Sequence, residues 1–481
     1  MLRKILSFLA LVVLILAGIV TFRTLTAPNK QRTIAALPAP PLSDSALQHF
    51  RDAIHFQTVS YGDASQWDSV PFLQFRHFLE TSYPLVHSKL TREIINHYSL
   101  LYKWEGKNTK LNPYIIMAHQ DVVPIEDNTK DLWTEEPFGA VVKDGFIWGR
   151  GSTDDKINLI GILEAAEKLL KENFQPERTI YFVFGHDEEI GGKGATAIAQ
   201  LLESRHIKAD LIIDEGGIIT RDKIPGFTKP VALIATSEKG YMSLEFSVTK
   251  KGGHSSMPER ETAVDILTKA LVKLHDQPFP PRLEKSTRGM LEFLGSESKF
   301  PNNMAFANTW LFKNMILSNY EKTGPGNAVV RTTSATTIIH TGIKDNVIPS
   351  VATAIVNFRL LPNDSSAWVI RQVKEIIDDD RVVIKKYGDN ISEASPVADE
   401  NGYGFQKIDQ IVRKSYDSVI TAPFLLVGAT DSRHFSNISD NVIKFSPMVD
   451  PIGFHGIDER VSVESFRHTL WFFEQLMRNT N

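Results

Sequence analysis

The chain contains no cysteine. Disulfides and thiolate metal sites are therefore excluded, and any bound metal must be held by His, Asp and Glu. It also lacks an excess of either charge: 53 Lys and Arg face 57 Asp and Glu, a formal net charge of −4. Without a basic footprint, no nucleic-acid partner is expected. No internal repeat or low-complexity tract is evident, and beyond the first 24 residues no stretch is long and apolar enough to span a bilayer. What is present is a globular composition, 42% hydrophobic and 23% charged over 481 residues, longer than one ordinary core and suited to two domains.

Arg3 and Lys4 precede an uncharged apolar run from Ile5 to Phe22, which would extend about 27 Å as a helix, enough for a hydrocarbon core. Ala17-Gly18-Ile19 and Leu25-Thr26-Ala27 are poor cleavage sites. Residues 1–24 are therefore read as a signal anchor, with secretion after cleavage as the alternative. Arg23, Lys30 and Arg32 follow the run, so charge bias does not set orientation. The simplest topology is one membrane helix with the body exported to a periplasmic, lumenal or extracellular side.

Residues 25–42 carry Pro28, Pro38, Pro40 and Pro41 and read as a linker. From residue 43 the pattern is globular. Helical spacing covers 45–54 and 158–172; buried-strand runs cover 114–118, 179–184 and 209–213. This alternation predicts an α/β catalytic domain with a mostly parallel sheet and helices on both faces, in two parts, 43–240 and 391–481. Between them, 241–390 reads strand, helix, strand, strand, helix, strand, an inserted ferredoxin-like α+β domain. Residues 275–331, rich in Pro, Gly and Asn, look like an insertion within it. Helices near 406–415 and 463–477 complete the chain.

Polar residues collect at the strand ends, where open α/β sheets build their sites. The 179–184 strand runs into Asp187-Glu188-Glu189-Ile190-Gly191-Gly192. Adjacent carboxylates there repel, and burial would demand a positive partner such as a metal; a solvated acidic loop is the bland alternative. His119-Gln120-Asp121 closes another strand, and in extended chain Asp121 can hold one ring nitrogen while the other binds metal. Asp154 and Asp155 follow a glycine-bearing loop and could equally cap a helix. Asp214 ends a third strand, and His455 lies between glycines far downstream. Together these offer donors suited to zinc, manganese or cobalt.

In order, His119-x-Asp121, Gly149-Arg150-Gly151-x-x-Asp154-Asp155-Lys156, Asp187-Glu188-Glu189-x-Gly191-Gly192, Asp214-Glu215-Gly216, Gly253-His254-Ser255-Ser256 and His455-Gly456-x-Asp458-Glu459 resemble the dinuclear zinc metallopeptidases that include aminoacylase, carboxypeptidase S and the desuccinylases. The anchor and Asp214-Glu215-Gly216-Gly217 point to the carboxypeptidase S and N-acyl-amino-acid hydrolase branch. The resemblance covers residues from about 45 to the end. It implies His119, Asp154 and Asp214 on one metal, and Asp154, Glu189 and His455 on the other. It further implies a cis peptide after Asp154, Asp121 orienting His119, and Glu188 as general base.

The charge count agrees with two ions: three carboxylates and one bridging hydroxide neutralise four positive charges. The resemblance also implies that His254, in the inserted lid and dimerisation domain, acts across a homodimer on the developing oxyanion. Arg433 would grip a substrate carboxylate, with Asn346 and Arg359 as weaker candidates; Arg359 could equally be structural. Asp187, His186 and His434 receive no role. The expected activity is metal-dependent hydrolysis of an amide beside a free carboxylate, in a peptide or an N-acyl amino acid. A long-chain N-acyl amino acid hydrolase and synthase is the nearer alternative. A catalytically inactive binding protein is the remote one, since every expected ligand and Glu188 are present.

Overall fold

A computed structural model describes residues 1–481 except 222, 225, 389 and 390. Its main sheet has nine strands. The order across it is Thr91–Ile95, Ser99–Trp104, Ile180–Gly185, Tyr114–His119, Leu211–Asp214, Val442–Lys444, Val231–Glu238 and Ile420–Leu426, with Ile219–Thr220 pairing beside Val231–Glu238. The central pairs Tyr114–His119 with Ile180–Gly185, Tyr114–His119 with Leu211–Asp214, and Leu211–Asp214 with Val442–Lys444 are parallel. Thr91–Ile95 and Ser99–Trp104 add an antiparallel edge.

The two central strands Tyr114–His119 and Ile180–Gly185 are buried throughout, which explains why they read as unbroken apolar runs. Ile116, Phe182 and Phe184 face Ile157, Ile160 and Leu163 of the Lys156–Lys171 helix. Ile115, Met117 and Val183 point the other way, toward Ile198 and Leu202 of the Lys193–Ser204 helix. The sheet is thus sandwiched between helices, and its strand ends deliver polar residues to one rim.

A second sheet orders Thr333–Thr341, Val351–Leu360, Gly240–Thr249 and Val383–Lys386, all antiparallel. The helices Ala263–Asp276 and Ser366–Ile377 bury their apolar faces against one side of it. This is the ferredoxin-like arrangement. Thr262 and Asp265 form a reciprocal capping box that starts the first of these helices.

The 275–331 segment departs from its loop-like composition. It folds into the helices Lys285–Gly295, Asn302–Ala307, Thr309–Tyr320 and Gly324–Val330. Lys285–Gly295 packs on the Ile420–Leu426 strand of the main sheet, where Phe293 meets Phe405 edge-on at 5.4 Å. These helices are too short to show clear periodicity in sequence, and tertiary packing supplies the stability that their propensity lacks.

The amino-terminal helix Leu2–Leu25 projects from the body and meets it only near its carboxyl end, with Val20 its only buried residue. The linker after it lies along the protein. Gln31 Nε2 donates to the carbonyls of Phe293 and Thr421 at 2.9 and 3.0 Å, and the Leu37 amide donates to the Lys414 carbonyl at 2.8 Å.

Candidate metal centre and active site

His119 closes the Tyr114–His119 strand. Its Nδ1 lies 3.3 Å from Asp121 Oδ1 and its Nε2 2.9 Å from Asp154 Oδ1. His455, from the loop before the last helix, brings Nε2 to 2.9 Å from Asp154 Oδ2 and 3.2 Å from Glu189 Oε2. Asp154 therefore stands between two imidazoles and offers one oxygen to each. The Asp154–Asp155 peptide is cis.

These residues fit a divalent cation. Oxygen and nitrogen atoms of His119, Asp154 and Glu189 lie within 4.8 Å of one another, and so do those of His119, Asp155 and Glu215. Glu189 Oε1 is buried with no hydrogen-bond partner. Burial, reinforced by the charge of Asp154, pushes Glu189 up to about 7. A carboxylate forced toward neutrality with an orphaned oxygen is a group lacking a positive partner. For His119, burial works against the charge, but hydrogen bonds with Asp121, Asp154 and Glu215 outweigh it and push the imidazole well up. Imidazole and carboxylate donors in this number suit zinc, manganese or cobalt.

Asp214 does not join the cluster. Its Oδ1 accepts the Glu215 amide at 2.9 Å and its Oδ2 the Ser432 amide at 2.7 Å. The next residue takes its place, with Glu215 Oε1 3.4 Å from His119 Nε2. The strand ends at Asp214, so side-chain direction beyond it is set by the turn. That turn needs Gly216, whose φ is +131° and whose Cβ would come within 2.8 Å of Leu426. Asp155 also approaches, but its oxygens are taken by the His119 amide at 3.3 Å and the Asn158 side chain at 2.5 Å.

Glu188 and Glu189 ride on a short 3₁₀ turn, Glu188–Ile190. Both backbone amides donate to Asp121, at 3.1 and 3.2 Å. Burial drives the Glu188 carboxyl well up; His119 opposes this, and Asp431 and Glu189 add to it. Asp187, unassigned from sequence, accepts the Lys193 and Gly194 amides at 3.0 and 2.8 Å and so fixes the start of the following helix. His186 Nδ1 lies 2.7 Å from Ser99 Oγ, a structural placement.

The side chain of Arg433 is largely covered beside Glu188, with Nη1 3.6 Å from Glu188 Oε1 and donating to the Thr430 carbonyl at 2.7 Å. Arg359 stacks over Tyr241 at 4.7 Å; burial lowers its pKa, as does the nearby charge of Arg433, while Glu188 raises it. Both arginines therefore lie near Glu188. His254 and Asn346 do not reach the cluster. They sit on the exposed ribbon formed by Gly253–His254 and Val347–Ile348. There His254 Nδ1 lies 2.8 Å from Ser256 Oγ, and the Ser255 amide donates to the Asn346 carbonyl at 3.2 Å.

Sequence reasoning missed Glu215 and the role of Glu459. The latter is fully buried. It accepts from Arg150 Nη1 at 2.5 Å and from the Gly151 and Thr153 amides at 3.0 and 2.8 Å, shaping the loop that presents Asp154. The signal was there, in an arginine between glycines and a distant Asp-Glu pair, but nothing in sequence joined them. Asp431 was missed as well. Both its oxygens are buried without partners, and Cβ atoms at Gly185 or Gly192 would strike them at 2.2 and 2.0 Å.

A histidine–carboxylate cluster at the carboxyl ends of a mostly parallel sheet, beside a ferredoxin-like layer, is a site able to hold divalent cations. The profile of peptidase family M20/M25/M40 matches residues 115–479. The chain is 40% identical over 450 residues to the probable carboxypeptidase S-like 2 of Dictyostelium discoideum, covering 91% of this chain and 86% of the relative. It is 37% identical over 441 residues to the human N-fatty-acyl-amino acid synthase/hydrolase PM20D1, covering 90% and 87%. In fold it matches the M20 family metallo-carboxypeptidase Sso-CP2 of Sulfolobus solfataricus, with a TM-score of 0.67 at 18% identity, covering 91% of this chain and 99% of that one. The chain belongs to peptidase family M20/M25/M40 and is a metallopeptidase-class hydrolase.

Proposed function

We propose that this enzyme hydrolyses the amide bond next to a free carboxylate, in N-acyl amino acids and in the last peptide link of short peptides. The observation that carries the reading is Asp154, which offers one oxygen beside His119 and the other beside His455, each at 2.9 Å. Such a carboxylate would serve two cations at once. His119, Asp154 and Glu215 would hold one, and Asp154, Glu189 and His455 the other, with zinc as the expected ion. Three carboxylates and one hydroxide balance two divalent charges, as a buried centre requires. Bound there, the ions supply Lewis-acid polarisation of a carbonyl and acidify a water.

The chain's own groups do the rest. Asp121 fixes the ring of His119 and, through two amides, the turn carrying Glu188. Glu188 takes a proton from water and delivers it to the leaving nitrogen, the exchange its raised affinity for protons favours. Arg433 and Arg359 converge near Glu188 and would hold the substrate carboxylate, since a guanidinium fork suits two oxygens.

Residues 241–390 act as a lid on a catalytic body made of 43–240 and 391–481. His254 is exposed and away from the cluster. It would complete the site from a second copy in a homodimer, supported by the exposed Thr333–Thr341 edge strand of the lid sheet. The Leu2–Leu25 helix, apolar and almost wholly exposed, would anchor the enzyme to a membrane with the body on the exported side.

Similarity to relatives named N-fatty-acyl-amino acid synthase/hydrolase supports long-chain N-acyl amino acids as substrates of this enzyme. The test is a panel of N-acyl amino acids of graded chain length and dipeptides, each with its carboxamide counterpart. Cleavage of the free acids and not the amides supports the reading; equal cleavage contradicts it.

A further inference from the structure

The 275–331 helices carry an apolar surface that the proposed chemistry does not use. Trp310, Leu311 and Met315 of the Thr309–Tyr320 helix are 51%, 39% and 55% exposed, and Phe300, just before Asn302–Ala307, is 75% exposed. Leu311 and Met315 are one turn apart and share a face, and Trp310 flanks that face at the start of the same helix. Exposed large hydrophobics gathered like this mark a contact surface.

The amino-terminal helix says what the surface meets. Leu2–Leu25 touches the body through Asn302–Ala307. Asn308, fully buried at the junction of the two insertion helices, donates Nδ2 to the Val20 carbonyl at 3.2 Å and to Thr24 Oγ1 at 3.1 Å. The uncharged run of that helix ends at Phe22, and Arg23 is the first charge after it. Val20 therefore lies about 3 Å inside the apolar run, by the rise of two residues. If Leu2–Leu25 spans a bilayer, Asn308 sits at the hydrocarbon edge, and Trp310, next but one along the chain, sits at the level of the headgroups.

Tryptophan favours that depth, and a neighbouring lysine can extend its charge outward to lipid phosphates. Lys313 is exposed on the same helix. Arg23 and Lys30 line a cavity of about 600 Å³ with Asn303, Phe306 and Thr309 at this junction. An apolar face rimmed by cations matches the interfacial zone of an anionic phospholipid leaflet.

We propose that the Phe300–Tyr320 segment is a second membrane contact, a foot that seats Trp310, Leu311 and Met315 in the leaflet surface beside the anchor. The inference rests on reading Leu2–Leu25 as membrane-spanning. A foot fixes the tilt of the body, which a single helix on a linker does not. It would hold the enzyme close against a surface into which acyl amino acids partition.

The natural absence of cysteine permits single-site labelling of the full chain. M315C, W310C, L14C and S204C, each carrying nitrobenzoxadiazole, are reconstituted in phosphatidylcholine–phosphatidylglycerol vesicles. Quenching by nitroxide lipids is compared with quenching by aqueous iodide. The foot predicts that M315C and W310C are quenched by lipid nitroxide and shielded from iodide, whereas S204C, on the exposed end of Lys193–Ser204, shows the reverse. Iodide quenching at 315 and 310 equal to that at 204, with L14C still in lipid, overturns the foot and leaves the anchor standing. Loss of lipid quenching at 14 overturns the anchor instead. Shielding at 315 and 310 from both quenchers means that protein covers the face, and also overturns the proposal.

Discussion

Asp121 accepts the backbone amide of Glu188 at 3.1 Å while its other contacts hold the imidazole of His119. One carboxylate thus sets both the orientation of His119, the proposed metal ligand, and the position of Glu188, the proposed base. Asp121→Ala is expected to weaken metal affinity by roughly 10–100-fold and to lower kcat further than restored metal occupancy explains. Competition with a zinc chelator, read alongside turnover at saturating zinc, separates the two effects.

Glu188→Gln tests the base without disturbing the ligands. Metal content is expected to stay unchanged while kcat falls by about 10²–10⁴-fold, the range for loss of a positioned acid–base. A variant that keeps wild-type turnover removes Glu188 from the mechanism.

Glu215 and Asp214 make opposite predictions. Glu215→Gln is expected to lose one metal equivalent per chain, because its carboxylate faces His119. Asp214→Asn is expected to retain both ions and lose stability, because its oxygens hold the Glu215 and Ser432 amides. Elemental analysis of the two purified variants, with thermal melts, gives the answer; the reverse pattern returns the ligand role to Asp214.

Lys239 gives a pH signature away from the centre. Burial, with the charge of Arg359, lowers its pKa from 10.5 to about 7. The unfolded chain therefore holds the proton more tightly, and the lysine's contribution makes stability rise with pH from about 7 to 10.5. Below that window both states are protonated and the penalty is complete. Lys239→Met is expected to remove this upward slope in denaturant melts, and also to cost stability overall, since the Ala328 and Arg331 carbonyls lose their donor.

Most of the centre was legible because a mostly parallel sheet gathers strand ends on one rim. His119 and the Glu188-Glu189 pair each follow a buried apolar run, and the strand periodicity that hides the run exposes its terminus. The placement of Asp214 away from the cluster has the same origin. Past the last paired residue, direction depends on the Gly216 turn, and adjacent carboxylates cannot be told apart by pattern. The links from Glu459 to Arg150 and from Asp187 to the next helix lay outside any local reading. His254 lies on an exposed ribbon outside the cluster, and a role played in a second copy would leave no trace within one chain. The insertion helices were unreadable for a further reason: packing of Lys285–Gly295 on Ile420–Leu426, and of the other helices on one another, rather than their own short sequences, orders them.

The most direct test of the account is zinc titration of the chelator-stripped enzyme, followed by hydrolysis of an N-acyl amino acid. The account predicts no activity without metal and a rise that levels off at two equivalents of zinc per chain. Full turnover in the stripped enzyme, or a plateau at one equivalent, would contradict a centre bridged by Asp154.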